Sequence, residues 1–344
     1  MRIEFLVPAP FDLVTGGYGY DRRITAGLRD AGHSVTVHEL DGQHPWPDNV
    51  AIASARATWA VLPAESVVVI DNLGLASFDG LEAELAARGV VVLNHHPTGM
   101  ETGLSVALAD GLIAIEQKLM PLAHRVIATS TTTAATLRER FSVLPAHLTV
   151  VEPGTEAAPR SMGSGGGTVQ ILSIGSLIPR KGHDVLMRAL AKLFDLDWRL
   201  TIAGSARHDP ACAAALQALP EGLGIAARVR FLGEMTGAPL AELWQQADLF
   251  ALATEYEGYG MAIAEALKRG LPVAVCNGGA AAALVRPEYG VVCHPGDVEQ
   301  LSKALRRLIF DARLRGMMAE AAWHFGQTLP DWTKQAEIFA QALA

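Results

Sequence analysis

The chain has 344 residues, half of them apolar and 19% charged. At roughly 150 residues per domain this predicts two domains with ample core, and it excludes a disordered chain, a small stapled module and, with no uncharged apolar run of about 18 residues, a transmembrane helix. The formal charge is −8 without any block of like charges, which argues against nucleic acid and for small or neutral partners.

In chain order, the segment from Arg2 to Val7 lacks the apolar stretch and small-residue cleavage site of a signal peptide, so it reads as the first strand of a cytoplasmic protein. Gly16-Gly17-Tyr18-Gly19 breaks that strand, and Ile24, Leu28 and Ala31 then recur at helical spacing. Gly32 stands where a C-terminal cap belongs, and Ser34 to Val37 reads as a second strand. Further on, Val90 to Leu93 is a strand that runs into Asn94-His95-His96-Pro97. Residues 157–168, rich in Gly, Ser and Pro, read as a flexible connector. After it the same grammar restarts. A strand over Val169 to Ile174 is followed by a turn from Gly175 to Gly182, a helix face of Val185, Leu186, Ala189, Leu190 and Leu193, and a strand over Arg199 to Ala203. Asp248 to Ala253 is a further strand, with a helix beginning near Met261, and a helical pattern resumes at Trp332 after Leu329-Pro330. Repetition of strand, glycine turn and helix predicts an α/β chain with parallel sheets in both halves, one domain over 1–160 and one over 168–329. Three scattered cysteines, Cys212, Cys276 and Cys293, lack disulfide-framework or zinc-ligand spacing, which predicts a reducing compartment.

Charge is unevenly shared. Residues 1–160 carry 11 basic and 18 acidic side chains, whereas 161–344 carry 17 and 18. Two of the basic residues of the second half, Arg180 and Lys181, fall in Gly175-Ser176-Leu-Ile-Pro-Arg-Lys-Gly-His-Asp184, a strand-to-helix turn. Two cations beside free helix N–H groups suit a diphosphate, although the same pair also suits an exposed basic turn. The spacing is not that of a P-loop. In Glu255-Tyr-Glu257-Gly258-Tyr259-Gly260-Met261, two glycines allow close approach of a ligand, and Glu257 and Glu265 fall in the loop and one turn into the helix. Carboxylates there can accept from paired sugar hydroxyls, or stand as solvated residues at a helix start. His95 and His96 close a predicted parallel strand, where such sheets place ligands.

Together these motifs resemble the glycosyltransferase family 4 pattern of the GT-B superfamily. The resemblance covers nearly the whole second half, continuing through Ala247-Asp248-Leu-Phe, Gly270-Leu-Pro-Val-Ala-Val275, Gly278-Gly279 and His294-Pro-Gly-Asp297, with Gly16-Gly17, Gly32-His33 and Val151-Glu-Pro-Gly-Thr155 in the first. It implies two Rossmann-like domains facing across a cleft, with the helix over 331–344 crossing back to the first. It further implies a nucleoside diphosphate sugar as donor and retention of anomeric configuration. By the resemblance Glu265 holds the ribose, Glu257 and the Gly258 to Met261 backbone hold the sugar, and Arg180 and Lys181 neutralise the diphosphate. Gly175, Ser176, Gly16 and Gly17 fall among its donor contacts, and His96, or His95, touches the donor sugar. Two departures stand out: Ser176 replaces a phosphate-binding arginine, and Ala280 to Ala283 replace a Pro-Glu pair. No metal or other cofactor is expected; Asp195-Leu-Asp197 reads as a solvated turn. The acidic first half predicts a small soluble acceptor and no strong membrane association. The rivals are a GT-B epimerase and a nicotinamide-dependent oxidoreductase, the latter suggested by Gly17-x-Gly19 and Glu39 but opposed by Arg22 at the third glycine position.

Overall fold

The computed structural model describes residues 1–344 and divides them into two compact units, Met1–Gly154 with Pro330–Ala344, and Thr155–Leu329. In the first unit β1 (Arg2–Pro8), β2 (Ser34–Leu40), β3 (Val67–Asp71), β4 (Val91–Asn94), β5 (Arg125–Ala128) and β6 (Leu148–Val150) form one sheet in the order β2-β1-β3-β4-β5-β6. Every neighbouring pair is parallel. Strands buried on both faces read as unbroken apolar runs, which is why Val67 to Ile70 and Val90 to Leu93 show no alternation. Helices α1 (Gly16–Asp30), α2 (Asn49–Val61), α3 (Asn72–Leu75), α4 (Glu82–Arg88), α5 (Val106–Leu119) and α6 (Thr131–Arg140) lie in the connections. The Thr15 hydroxyl caps α1 by accepting from the Tyr18 N–H, and Gly32, at φ +84°, ends it.

In the second unit β7 (Val169–Ile174), β8 (Trp198–Ala203), β9 (Val229–Phe231), β10 (Leu249–Leu252), β11 (Val273–Cys276) and β12 (Gly290–Cys293) are ordered β12-β11-β10-β7-β8-β9, again all parallel. Alternate residues feed opposite layers. Ile171, Leu249 and Ala251 pack with α7 (His183–Ala191), α8 (Pro210–Gly222) and α11 (Val298–Phe310). Leu172, Phe250 and Leu252 pack with α9 (Gly237–Gln246), α10 (Met261–Lys268) and α12 (Ala312–Gly326). The last helix, α13 (Trp332–Ala342), belongs to the first unit and lies on α1, so close that a Cβ on Gly27 would stand 2.5 Å from that of Ala336.

The stretch expected to be a flexible connector over 157–168 is instead bound to the second unit. The Ser161 N–H donates to the Arg269 carbonyl at 2.9 Å, those of Met162 and Gly163 donate to Gln245 O at 3.0 and 3.1 Å, and the Ser161 hydroxyl donates to Ala247 O at 2.7 Å. Fixed partners for the backbone outweigh the flexibility of the composition, and the units divide between Gly154 and Thr155 rather than across 160–168.

Strand order reverses between β1 and β3 in one sheet and between β7 and β10 in the other. Open α/β sheets bind ligands outside the carboxyl ends of the strands at that reversal. The sequence motifs fall there in both units.

Candidate functional site

In the second unit the loop after β7 meets the loop after β10. Gly182 stands at φ +62°, and a Cβ on it would lie 2.0 Å from the Ala253 carbonyl oxygen, so only glycine lets the two loops touch. The Glu255 N–H donates to the Arg180 carbonyl at 2.8 Å, the Thr254 hydroxyl oxygen lies 3.0 Å from that carbonyl, and the Arg180 Nη1 donates to Tyr256 O at 2.7 Å. From the other side Glu257 is held by the turn after β11: its N–H donates to Gly278 O at 3.1 Å and its carbonyl accepts from the Ala280 N–H at 2.8 Å. A Cβ on Gly278 would meet the Glu255 carbonyl carbon at 2.4 Å, which explains the Gly278-Gly279 pair.

This scaffold brings three of the four predicted charged residues, Arg180, Lys181 and Glu257, together. Lys181 Nζ lies 2.5 Å from Glu257 Oε1 and Arg180 Nη1 lies 3.7 Å from it, while the Thr254 hydroxyl donates to the same oxygen at 3.1 Å. Burial pushes the Glu257 carboxyl up, but Lys181, Arg180 and Thr254 more than offset that and hold it below the usual range. The trio carries a formal charge of +1 and stands at the N-terminal ends of α7 and α10, whose free N–H groups add positive potential. Such an arrangement can bind and stabilise a diphosphate. Glu265 is half-buried in α10, and the Tyr259 side chain packs in the apolar layer with Ile263 and Leu284.

His183, which closes the Gly175 to Gly182 turn, is buried beneath it. Its Nε2–H donates to the Gly175 carbonyl at 3.2 Å. Burial drives its pKa down to about 4, so the ring is a neutral strut for Gly175 and Ser176. Asp195 and Asp197 are engaged with Arg306 and Thr168 respectively, as a solvated turn should be.

In the first unit Gly16 and Gly17 open α1 after β1, Asp71 closes β3, and His95 and His96 follow β4. The two histidines differ sharply. His95 Nε2 lies 3.0 Å from Asp21 Oδ1 and 3.7 Å from Asp71 Oδ2, its ring meets Tyr20 edge-on at 5.2 Å, and its Cδ2 would stand 3.3 Å from a Cβ on Gly17. His96 Nε2 lies 2.9 Å from Glu101 Oε2, with both side chains partly exposed. Glu116 is buried and accepts from the Thr98 N–H at 2.7 Å, the Gly99 N–H at 3.2 Å and Asn72 Nδ2 at 2.7 Å, so it fastens the loop after β4 rather than lining a site. Arg22 donates to the Phe11 and Leu13 carbonyls, and Glu39, the acid of the oxidoreductase rival, accepts from the Phe11 N–H at 2.9 Å. No sequence motif marks Asp21; its one signal is its spacing, one helical turn after Gly17 on the same face of α1.

Asp21, Asp71 and His95 are also the residues that could hold a metal ion, each offering one ligand atom within 4.8 Å of the others.

A family model described as glycosyl transferases group 1 matches residues 155–325. The chain is 28% identical to the D-inositol 3-phosphate glycosyltransferase of Rhodococcus opacus (strain B4) over 86% of its own length and 65% of that protein's. It is 30% identical to the enzyme of that name from Salinispora tropica over 92% and 66%. It therefore spans about two thirds of the length of the curated relatives it matches. Among solved structures, sucrose-phosphate synthase from Thermosynechococcus elongatus has a TM-score of 0.83 at 17% identity, covering 99% of this chain and 97% of that one. Anabaena Alr3699/HepE in complex with UDP-glucose has a TM-score of 0.78 at 19% identity, covering 100% and 99%.

Proposed function

Since this chain belongs to the glycosyl transferases group 1 and has the two-unit α/β GT-B fold, we propose that it moves a sugar from a nucleoside diphosphate sugar to a hydroxyl of a small acceptor, with retention of anomeric configuration. The observation that carries this is the convergence of Arg180, Lys181 and Glu257 at the strand reversal of the second unit. As the glycosidic bond to the diphosphate breaks, negative charge grows on the leaving oxygen, and the net cationic trio and the helix N-termini stabilise it without reorganising. Glu257, kept ionised by the two cations, accepts from sugar hydroxyls. Glu265 is assigned the ribose and His96 the donor sugar, following the family resemblance. Arg180 supplies the cation that Ser176 does not, and charge neutralisation by side chains makes the reaction independent of a divalent metal.

The curated relatives are named for inositol phosphate. Here 11 basic residues face 18 acidic ones over 1–160, which disfavours an anionic acceptor, so the acceptor is an uncharged or cationic polyol.

Thermal shift with a panel of nucleoside diphosphate sugars tests the donor. Binding at a hundredfold excess over Kd adds about 2.7 kcal/mol to stability. Truncating Lys181 alone would take the nearer of two cations from the buried Glu257 and confound binding with stability, so the informative variant is Lys181→Met with Glu257→Gln. It is expected to fold and to lose at least tenfold in donor affinity. Undiminished binding would sink the assignment.

A further inference from the structure

Helix α5 buries Leu112, Glu116 and Leu119 along one stripe, so a carboxylate occupies a position that helical spacing reserves for an apolar side chain. Burying a carboxylate is costly unless donors surround it, and here they do. Glu116 Oε1 accepts from the Thr98 N–H at 2.7 Å, the Thr98 hydroxyl at 2.9 Å and Asn72 Nδ2 at 2.7 Å, and its Oε2 accepts from the Gly99 N–H at 3.2 Å. Two oxygens facing only donors call for a carboxylate; a glutamine would turn an amide N–H2 against one of them.

The loop so held carries His96. Asn72, buried at the start of α3, donates from the same Nδ2 to the His96 carbonyl at 3.4 Å. Both neighbours of that nitrogen are acceptors, which fixes the way the amide faces. Further along the loop, Glu101 Oε2 lies 2.9 Å from His96 Nε2, and the Glu101 N–H donates to the Thr98 carbonyl at 3.2 Å. His96 and Glu101 are thus the two ends of one bow, and Glu116 pins its middle. Packing fixes the same point independently. A Cβ on Gly99 would stand 2.7 Å from the Ile113 nitrogen and 2.8 Å from the Ala109 carbonyl oxygen, so the loop lies against the backbone of α5 itself.

We propose that Glu116 is a positioning residue for glycosyl transfer, which sets His96 by holding the loop after β4 onto α5. This rests on the transfer reading above, with Glu116 acting through the loop and touching no reacting atom.

Glu116→Gln keeps the shape but sets an amide N–H2 among donors. Expected is a fall in kcat of about tenfold or more with donor KM changed by less than about threefold, because misplacing a reacting contact costs rate more than binding and the diphosphate is assigned to Arg180 and Lys181. Combination with His96→Ala separates positioning from general weakening. Acting through His96, Glu116→Gln should cost less than about twofold in kcat beyond His96→Ala alone, whereas independent effects would multiply. Gly99→Ala leaves Glu116 in place and pushes the loop off α5, so it should show the same split and the same lack of further loss, and it serves if Glu116→Gln does not fold. Hydrogen exchange of the wild type should find the Thr98 and Gly99 amides protected. Wild-type kcat in Glu116→Gln or in His96→Ala, losses that multiply, or Thr98 and Gly99 amides that exchange as fast as exposed ones overturn the proposal and leave the transfer reading standing. A wild type that forms no glycoside overturns that reading, and the proposal with it.

Discussion

Lys181 and Glu257 sit in two motifs 76 residues apart, each legible in the sequence, yet their pairing at 2.5 Å is not. It depends on β7 and β10 becoming neighbours across a strand reversal, which no local pattern encodes. Asp21 is hidden for a related reason: within α1 it looks like any helical acid, and its meaning comes from β3 and β4. His183 shows how a residue inside a recognised motif can serve the fold beneath the chemistry. Its pKa in the folded protein, about 4, lies below the ordinary 6.5, so the unfolded chain binds more protons between those values and stability falls as pH drops through that window. The full loss is about 3 kcal/mol. His183→Gln retains a donor for Gly175 but cannot protonate, so urea unfolding at pH 7 and pH 4.5 should show a smaller acid loss in the variant than in the wild type. Equal losses would refute the buried neutral ring.

At the level of elements, strands and glycine turns were readable because parallel strands demand apolar runs and tight loop contacts demand glycine. The connector was misread since composition reports what a segment can do alone, whereas the Ser161 to Gly163 backbone is fixed by Arg269 and Gln245, some 80 to 110 residues away. The closing helix was legible through Pro330, but its seat on α1 was not; that seat depends on Gly27 giving room for Ala336 and on Tyr20 meeting Trp332 at 5.6 Å. Gly27→Val should force the helices apart, costing about 1–3 kcal/mol. Brief trypsin treatment should then cut the variant at Lys334 faster than the wild type, as mass spectrometry of the lost C-terminal peptide would show. Equal protection would mean that the close approach does not hold α13 in place.

For the whole molecule, the formal charge of −8 is unevenly placed. Most of it lies in residues 1–160, while the second unit, nearly balanced in charge, places two of its cations, Arg180 and Lys181, at its strand reversal. No helix is long and apolar enough to cross a membrane. The proposed chemistry divides in the same way, with an anionic leaving group on the second unit and an uncharged or cationic acceptor served by the first. The most direct test is proton NMR of a reaction containing the donor selected by thermal shift and a panel of neutral, cationic and phosphorylated polyols. One nucleoside diphosphate should appear for each glycoside formed on a neutral or cationic polyol, and the new anomeric centre should keep the donor's configuration. An inverted centre, an epimerised donor sugar without glycoside, or no product from any acceptor would contradict the account.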